Sequence, residues 1–164
     1  MKTSEKSQQG VFLIEALIGI LVFSLGVLAM VALGTAAVSA QSDAQYRTEA
    51  ANLTNEIASQ IALRADRLPR DTPADELAAL TASLTPFNHN LGGTVCNFTA
   101  AASSEALVTA WVVKVAAALP NVIVRGMQVD TTTLAAFGGV SVTVCWQGPT
   151  DKSVRSHTLV TYVN

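Results

Sequence analysis

Residues 11–38 read VFLIEALIGILVFSLGVLAMVALGTAAV, and Glu15 is the one charge among them. About 20 apolar residues suffice to cross a bilayer as a helix, so this run is long enough for one span. A carboxylate inside such a span is costly unless a cation or a proton compensates it. An isolated one is therefore expected to be functional. A polar leader, MKTSEKSQQ, precedes Gly10, and Glu15 is the fifth residue after that glycine. Lys2 and Lys6 favour a cytoplasmic N-terminus, with the rest of the chain beyond the membrane.

Working outward, residues 11 to about 66 read as one helix, since no proline occurs between Met1 and Arg67. At 1.5 Å per residue its length is about 84 Å. The second half turns amphipathic. Val38, Tyr46, Ala50, Leu53, Ile57 and Ile61 recur at helical steps, opposite Gln45, Arg47, Glu49, Asn52, Glu56 and Gln60. Gly19, Gly26 and Gly34 interrupt the apolar half, either as bends or as packing accommodations.

Residues 64–73, RADRLPRDTP, end the helix with two prolines. A short helix is expected over 75–84, capped by Thr72 or Asp75, with Leu77, Leu80 and Leu84 on one face. Residues 85–102 read as a loop. A second helix is expected from Ser103 or Ser104, with Glu105 in its first turn; the run W-V-V-K-V reads alternatively as a strand, and the alanines and the Leu-Pro stop favour the helix. It carries Leu107, Trp111, Val115 and Leu119 at steps of four and stops at Pro120. Residues 122–130, 140–147 and 155–163 are rich in β-branched side chains and read as strands. Val140, Val142, Val144 and Trp146 share one face; Ser141, Thr143 and Cys145 share the other. The expected fold is α+β: a long N-terminal helix packed on a small antiparallel C-terminal sheet.

The arrangement G-V-F-L-I-E-A-L, after a lysine-bearing leader and before a long uncharged run, resembles the class III signal sequence of type IV pilins and type II secretion pseudopilins. That resemblance covers about the first forty residues. It implies a pilin-like fold and cleavage by a prepilin peptidase between Gly10 and Val11. It also implies N-methylation of Val11 and a role for Glu15 in assembly, paired with the N-terminal amine of a neighbouring subunit. The family more often has Phe, Met or Leu where Val11 stands. A second likeness is spread over the chain: the tryptophan helix ending in Leu119-Pro120 and the strand V-T-V-C-W resemble the pilus-modification branch of the minor pilins. Minor pseudopilins are close competitors. The implied partners are the prepilin peptidase, other major and minor pilins, and an inner-membrane assembly platform. The implied organisation is a leader over 1–10, a transmembrane and assembly half-helix over 11–40, and a periplasmic domain over 41–164. The protein would be single-pass in the inner membrane and then part of the pilus.

Composition agrees with an anchored domain: 164 residues, half of them hydrophobic, with a net charge of −2. Removing Lys2, Glu5 and Lys6 leaves about −3, so no basic footprint for nucleic acid is evident. Cys96 and Cys145 fall beyond the membrane. A disulfide between them is the natural reading in an oxidising compartment, and two unpaired thiols are the alternative. Neither histidine stands in a nucleophile motif. His89 reads as a solvated loop residue and His157 as an outward strand residue. No metal set, cofactor fingerprint or catalytic group is expected, hence no enzyme. Asn97-Phe98-Thr99 matches a glycosylation sequon by chance. Two competing readings remain at this stage. One is an ordinary secretory signal cut near Ala36, Ala37, Ser39 and Ala40. The other is a periplasmic binding module on a plain anchor.

Overall fold

The computed structural model describes residues 9–133 and 135–163. Residues 1–8 of the expected leader lie outside the described residues. The chain divides into two units, Met1–Ser42 and Asp43–Asn164. Helix α1, Gln9–Ala62, contributes to both.

Within the first unit α1 is exposed on every side, including Phe12, Phe23, Leu33 and Val38. An 18-residue window there has a mean hydropathy of 2.7, so the segment is long and apolar enough to be a single-pass membrane anchor. Its few hydroxyls are satisfied locally. Ser24 Oγ donates to Ile20 O at 2.7 Å and Thr35 Oγ1 to Ala32 O at 2.9 Å, so neither demands water. Val38, expected on the core-facing stripe, belongs to this exposed unit instead.

The second unit has an α+β architecture. The stripe of α1 that does enter a core is Ala50, Leu53, Ile57, Ala58 and Ile61. These pack with the inner side of a three-stranded antiparallel sheet and with two further helices. Helix α1 stops at Ala62, earlier than expected. There Arg67 donates from Nη2 to Ala62 O at 2.8 Å, filling a carbonyl left orphaned at the helix end, and from Nε to Val163 O at 2.6 Å.

Helix α2, Pro73–Leu84, starts two residues before the expected position. Thr72 is its cap, accepting from Asp75 N, and Pro73 fits the first turn because its missing N–H would be unpaired anyway. Leu80 and Leu84 are buried, whereas Leu77 is exposed.

Helix α3, Ala106–Ala118, buries Leu107, Val108, Trp111 and Val115. Glu105 occupies the cap position rather than the first turn, without a side-chain cap bond. Ser103 Oγ accepts its N–H at 3.1 Å. The indole Nε1 of Trp111 donates to Leu53 O at 2.9 Å and so ties α3 to α1.

Residues 92–99, expected within a loop, form a hairpin of β1, Gly92–Thr94, and β2, Asn97–Thr99. The main sheet follows as β3, Met127–Asp130; β4, Gly139–Trp146; and β5, Arg155–Tyr162, in the order β3-β4-β5. The expected strand over 122–130 survives only from Met127. Before it, Gly126 N closes a 3₁₀ turn onto Ile123 O at 2.8 Å. Val140, Val142, Val144 and Trp146 do share the core face. The opposite face of β4 is also covered: Thr143 and Cys145 are buried, and so is Phe98 of the hairpin, which lies outside the main core. A β4 flanked on both sides by strands and covered on both faces explains why its residues are nearly all buried.

Candidate assembly site

Gly10 and Val11 lie in the first turn of α1, where backbone N–H groups have no intrahelical partner. Glu15 follows one turn later and is exposed. Its neighbours at helical spacing are Val11, Phe12, Ile18 and Gly19. A Cβ placed on Gly19 would meet nothing within 4 Å, so helix surface beside Glu15 is open on that side. Among the described residues no ion pair or hydrogen bond reaches the Glu15 carboxylate. In an apolar environment such a group needs an external cation or a proton.

The second unit begins at a charge network that sequence reading missed. Asp43 Oδ2 accepts from Arg47 Nε at 3.0 Å, one helical turn on. Arg155 Nε lies 3.2 Å from Asp43 Oδ1 and makes its hydrogen bond to Asp151 Oδ2 at 2.8 Å, while Arg155 Nη2 donates to Asp151 Oδ1 at 2.8 Å. The bonds from Arg155, then the N–H of Gly148 and the nearby charge of Arg47, hold the Asp151 carboxyl below the usual range. These groups join the start of the domain's helix to the β4–β5 turn. Pairs of this kind at the surface are screened by solvent, so their effect is positional more than stabilising. The signal was available as Asp-x-x-x-Arg at 43–47 and at 151–155.

Between α1 and α3 lies a groove of about 180 Å³ lined by Glu56, Gln60, Arg64, Leu107, Trp111 and Lys114. Lys114 Nζ donates to Glu56 Oε1 at 2.8 Å across it. The groove's lining contains no serine, threonine, cysteine or histidine. Among the described residues no three or more His, Cys, Asp or Glu gather as metal ligands.

Cys96 and Cys145 are bonded, with Cα atoms 5.5 Å apart. The bridge fastens the β1–β2 hairpin to the outer face of β4. Glu15 and the disulfide belong to different units.

Both histidine expectations are corrected. His89 is buried, 4% exposed, because β3 needs a partner along its outer edge and the backbone of His89 supplies one. Its Nδ1 accepts from Ser103 N at 3.2 Å, its Nε2 is buried without a partner, and burial lowers its pKa from 6.5. His157 is half-buried. It is paired with Val144 and therefore lies on the core side of β5, where cross-strand partners share a face.

No protein-family model, no curated protein and no solved structure matches this chain.

Proposed function

We propose that the chain is a minor pilin of the type IV pilus, similar to the pilus modification protein PilV. In this reading a prepilin peptidase removes residues 1–10 and the Val11 amine is methylated. The apolar half of α1 holds the subunit in the inner membrane, with the disulfide-bonded domain in the periplasm. An assembly platform then extracts the subunit, and helices of other pilins replace lipid around residues 11–40. The Glu15 carboxylate pairs with the Val11 amine of an adjacent subunit and sets the axial register. The domain contributes to priming or decorating the filament and, through it, to motility or adhesion.

The observation that carries this reading is Glu15. It is the one charge between Val11 and Val38, is exposed on an apolar helix, and has no partner among the described residues. A simple anchor gains nothing from such a group and bears its desolvation cost.

The test uses the full chain in its native host. Glu15→Ala is expected to insert into the membrane at normal levels, yet to fall about tenfold or more in sheared filaments, since a buried ion pair cannot form. Unchanged filament content would contradict the proposal and favour an anchored binding module. Deleting the gene separates pilin from pseudopilin. A loss of twitching motility is expected, and a loss confined to secretion of folded exoproteins would assign the chain to a type II secretion pseudopilus.

A further inference from the structure

Residues 88–90 form a strap held between two neighbours. On one side is β3. His89 N donates to Val129 O at 2.9 Å and Val129 N to His89 O at 3.1 Å. Asn90 Nδ2 donates to Met127 O at 3.0 Å, and Thr131 N to Asn88 Oδ1 at 2.9 Å. On the other side is the segment that leads into α3. Asn90 N donates to Ala101 O at 3.1 Å, Ser103 N to His89 Nδ1 at 3.2 Å, and Ser103 Oγ to Pro86 O at 2.7 Å. The strap thus closes the outer edge of β3 and, through Asn90 and Ala101, the base of the β1–β2 hairpin.

The buried His89 ring sits at the centre of these bonds. Its Nδ1 accepts from a backbone N–H, so the neutral ring carries its proton on Nε2. That N–H has no hydrogen-bond partner among the described residues. A second proton would go to Nδ1, where the Ser103 N–H already points, and two donors would face each other. The resulting charge would have no counter-ion. Cross-strand pairing puts the ring on the face of β3 that carries Val129, opposite Val142 of β4. No Asp, Glu, Lys or Arg is buried among the described residues, and the core side chains of α1, α2 and α3 are uncharged. On β3 the charged group is Asp130, whose carboxylate accepts from Thr132 and Thr133. Ahead of α3 it is Glu105, which is half-buried. His157 is separated from the strap by β3 and β4. Burial, and none of these charges, is what lowers the His89 pKa.

The backbone beside the strap is also under strain. Asn90 has φ 54° and Ala100 φ 89°, both in the left-handed region. Asparagine tolerates that region, whereas alanine enters it at a steric cost. The two residues flank the hairpin, and the bond from Asn90 N to Ala101 O holds its two ends together. Release of the strap lets both relax. The hairpin's far end stays tied to β4 through Cys96 and Cys145, which confines the opening to its base.

We propose that residues 88–90 are an acid-released strap: a proton on His89 expels the ring into water, detaches the strap from β3 and Ser103, and uncovers the β3 edge while the rest of the domain stays folded. The direction follows from burial. A ring in water takes up its proton at a higher pH than the docked ring, so acid favours release. Closure is complete above about pH 7 and weakens as the pH falls from there toward the docked ring's pKa. The device lies wholly within the Asp43–Asn164 unit and does not depend on the anchor.

The experiment measures residue-resolved amide exchange of the full chain in detergent micelles, as protection relative to each amide's intrinsic rate at that pH. From about pH 7.5 to about pH 5, protection at His89, Asn90, Ser103 and Val129 is expected to fall by about tenfold or more, because a free ring with a pKa of about 6.5 supplies up to about 30-fold. Protection in the β4–β5 ladder is expected to hold. His89→Gln keeps an acceptor for Ser103 and removes the titration, so its protection at Val129 should be flat across the range. Parental pH dependence in that variant overturns the strap. A parallel fall at all these amides, the β4–β5 ladder included, means global unfolding and overturns it too, as does constant protection at Val129. Should His89→Gln fail to fold, the ring nitrogens of the parent chain decide by NMR. They are expected to show the neutral form with the proton on Nε2 for as long as Val129 is protected. A protonated ring with Val129 still protected would show that the core accommodates the charge, and would overturn the switch.

Discussion

At the scale of single residues, His89 shows how a polar string becomes core. Asn88-His89-Asn90 looks like a solvated turn, yet each of the three bonds to β3 or to the segment beyond it, His89 through its backbone exchange with Val129. The reason is non-local, since the edge of β3 lies about forty residues away in sequence, and no local pattern announces it. Burial lowers the His89 pKa below 6.5, and the neutral ring accepts from Ser103 at Nδ1. The unfolded chain therefore takes up a proton before the folded one does. As pH falls from about 7 toward 5, stability is lost until the folded pKa is passed, and above about pH 7 the group contributes no slope. His89→Gln keeps an acceptor for Ser103 and is expected to flatten thermal stability across that window. A variant with the parental slope would show that another group is responsible. Glu15 was legible for the opposite reason: a lone charge in an apolar run needs no tertiary information to stand out.

Among the elements, those with a strong period were readable and the short ones were not. Helix α1, helix α3 and strands β4 and β5 stood where 3.6-residue or two-residue periodicity placed them. The β1–β2 hairpin was not legible, because strands of three residues carry too little alternation to distinguish from a loop. What defines it is backbone geometry. Gly93 has φ +90°, and a Cβ there would collide with the carbonyl oxygen of Asn97. Gly93→Ala is expected to cost about 1–3 kcal/mol in chemical denaturation, against a few tenths for an ordinary exposed position. A neutral result would mean that the hairpin shifts without loss and is not fixed by this turn. The place of β5 at one end of the strand order was likewise beyond sequence reading, since strand order depends on which segments meet and not on any one of them.

Across the whole molecule, an exposed apolar half-helix and a disulfide-bonded α+β domain are joined in one chain. The Cys96–Cys145 bridge spans 49 residues and ties the hairpin, which carries the buried Phe98, to β4. Replacing both cysteines with serine is expected to lower domain stability by about 2–4 kcal/mol, measured by denaturation under non-reducing conditions. An unchanged midpoint would show that packing of Phe98 alone holds the hairpin. The central claim is that the apolar half is an assembly device made by processing at Gly10. Intact mass and N-terminal peptide mapping of the protein from its native host membrane test it most directly. The account predicts a chain that starts at Val11 with one methyl group on its amine. A chain still starting at Met1, or one starting near Gln41, would contradict it.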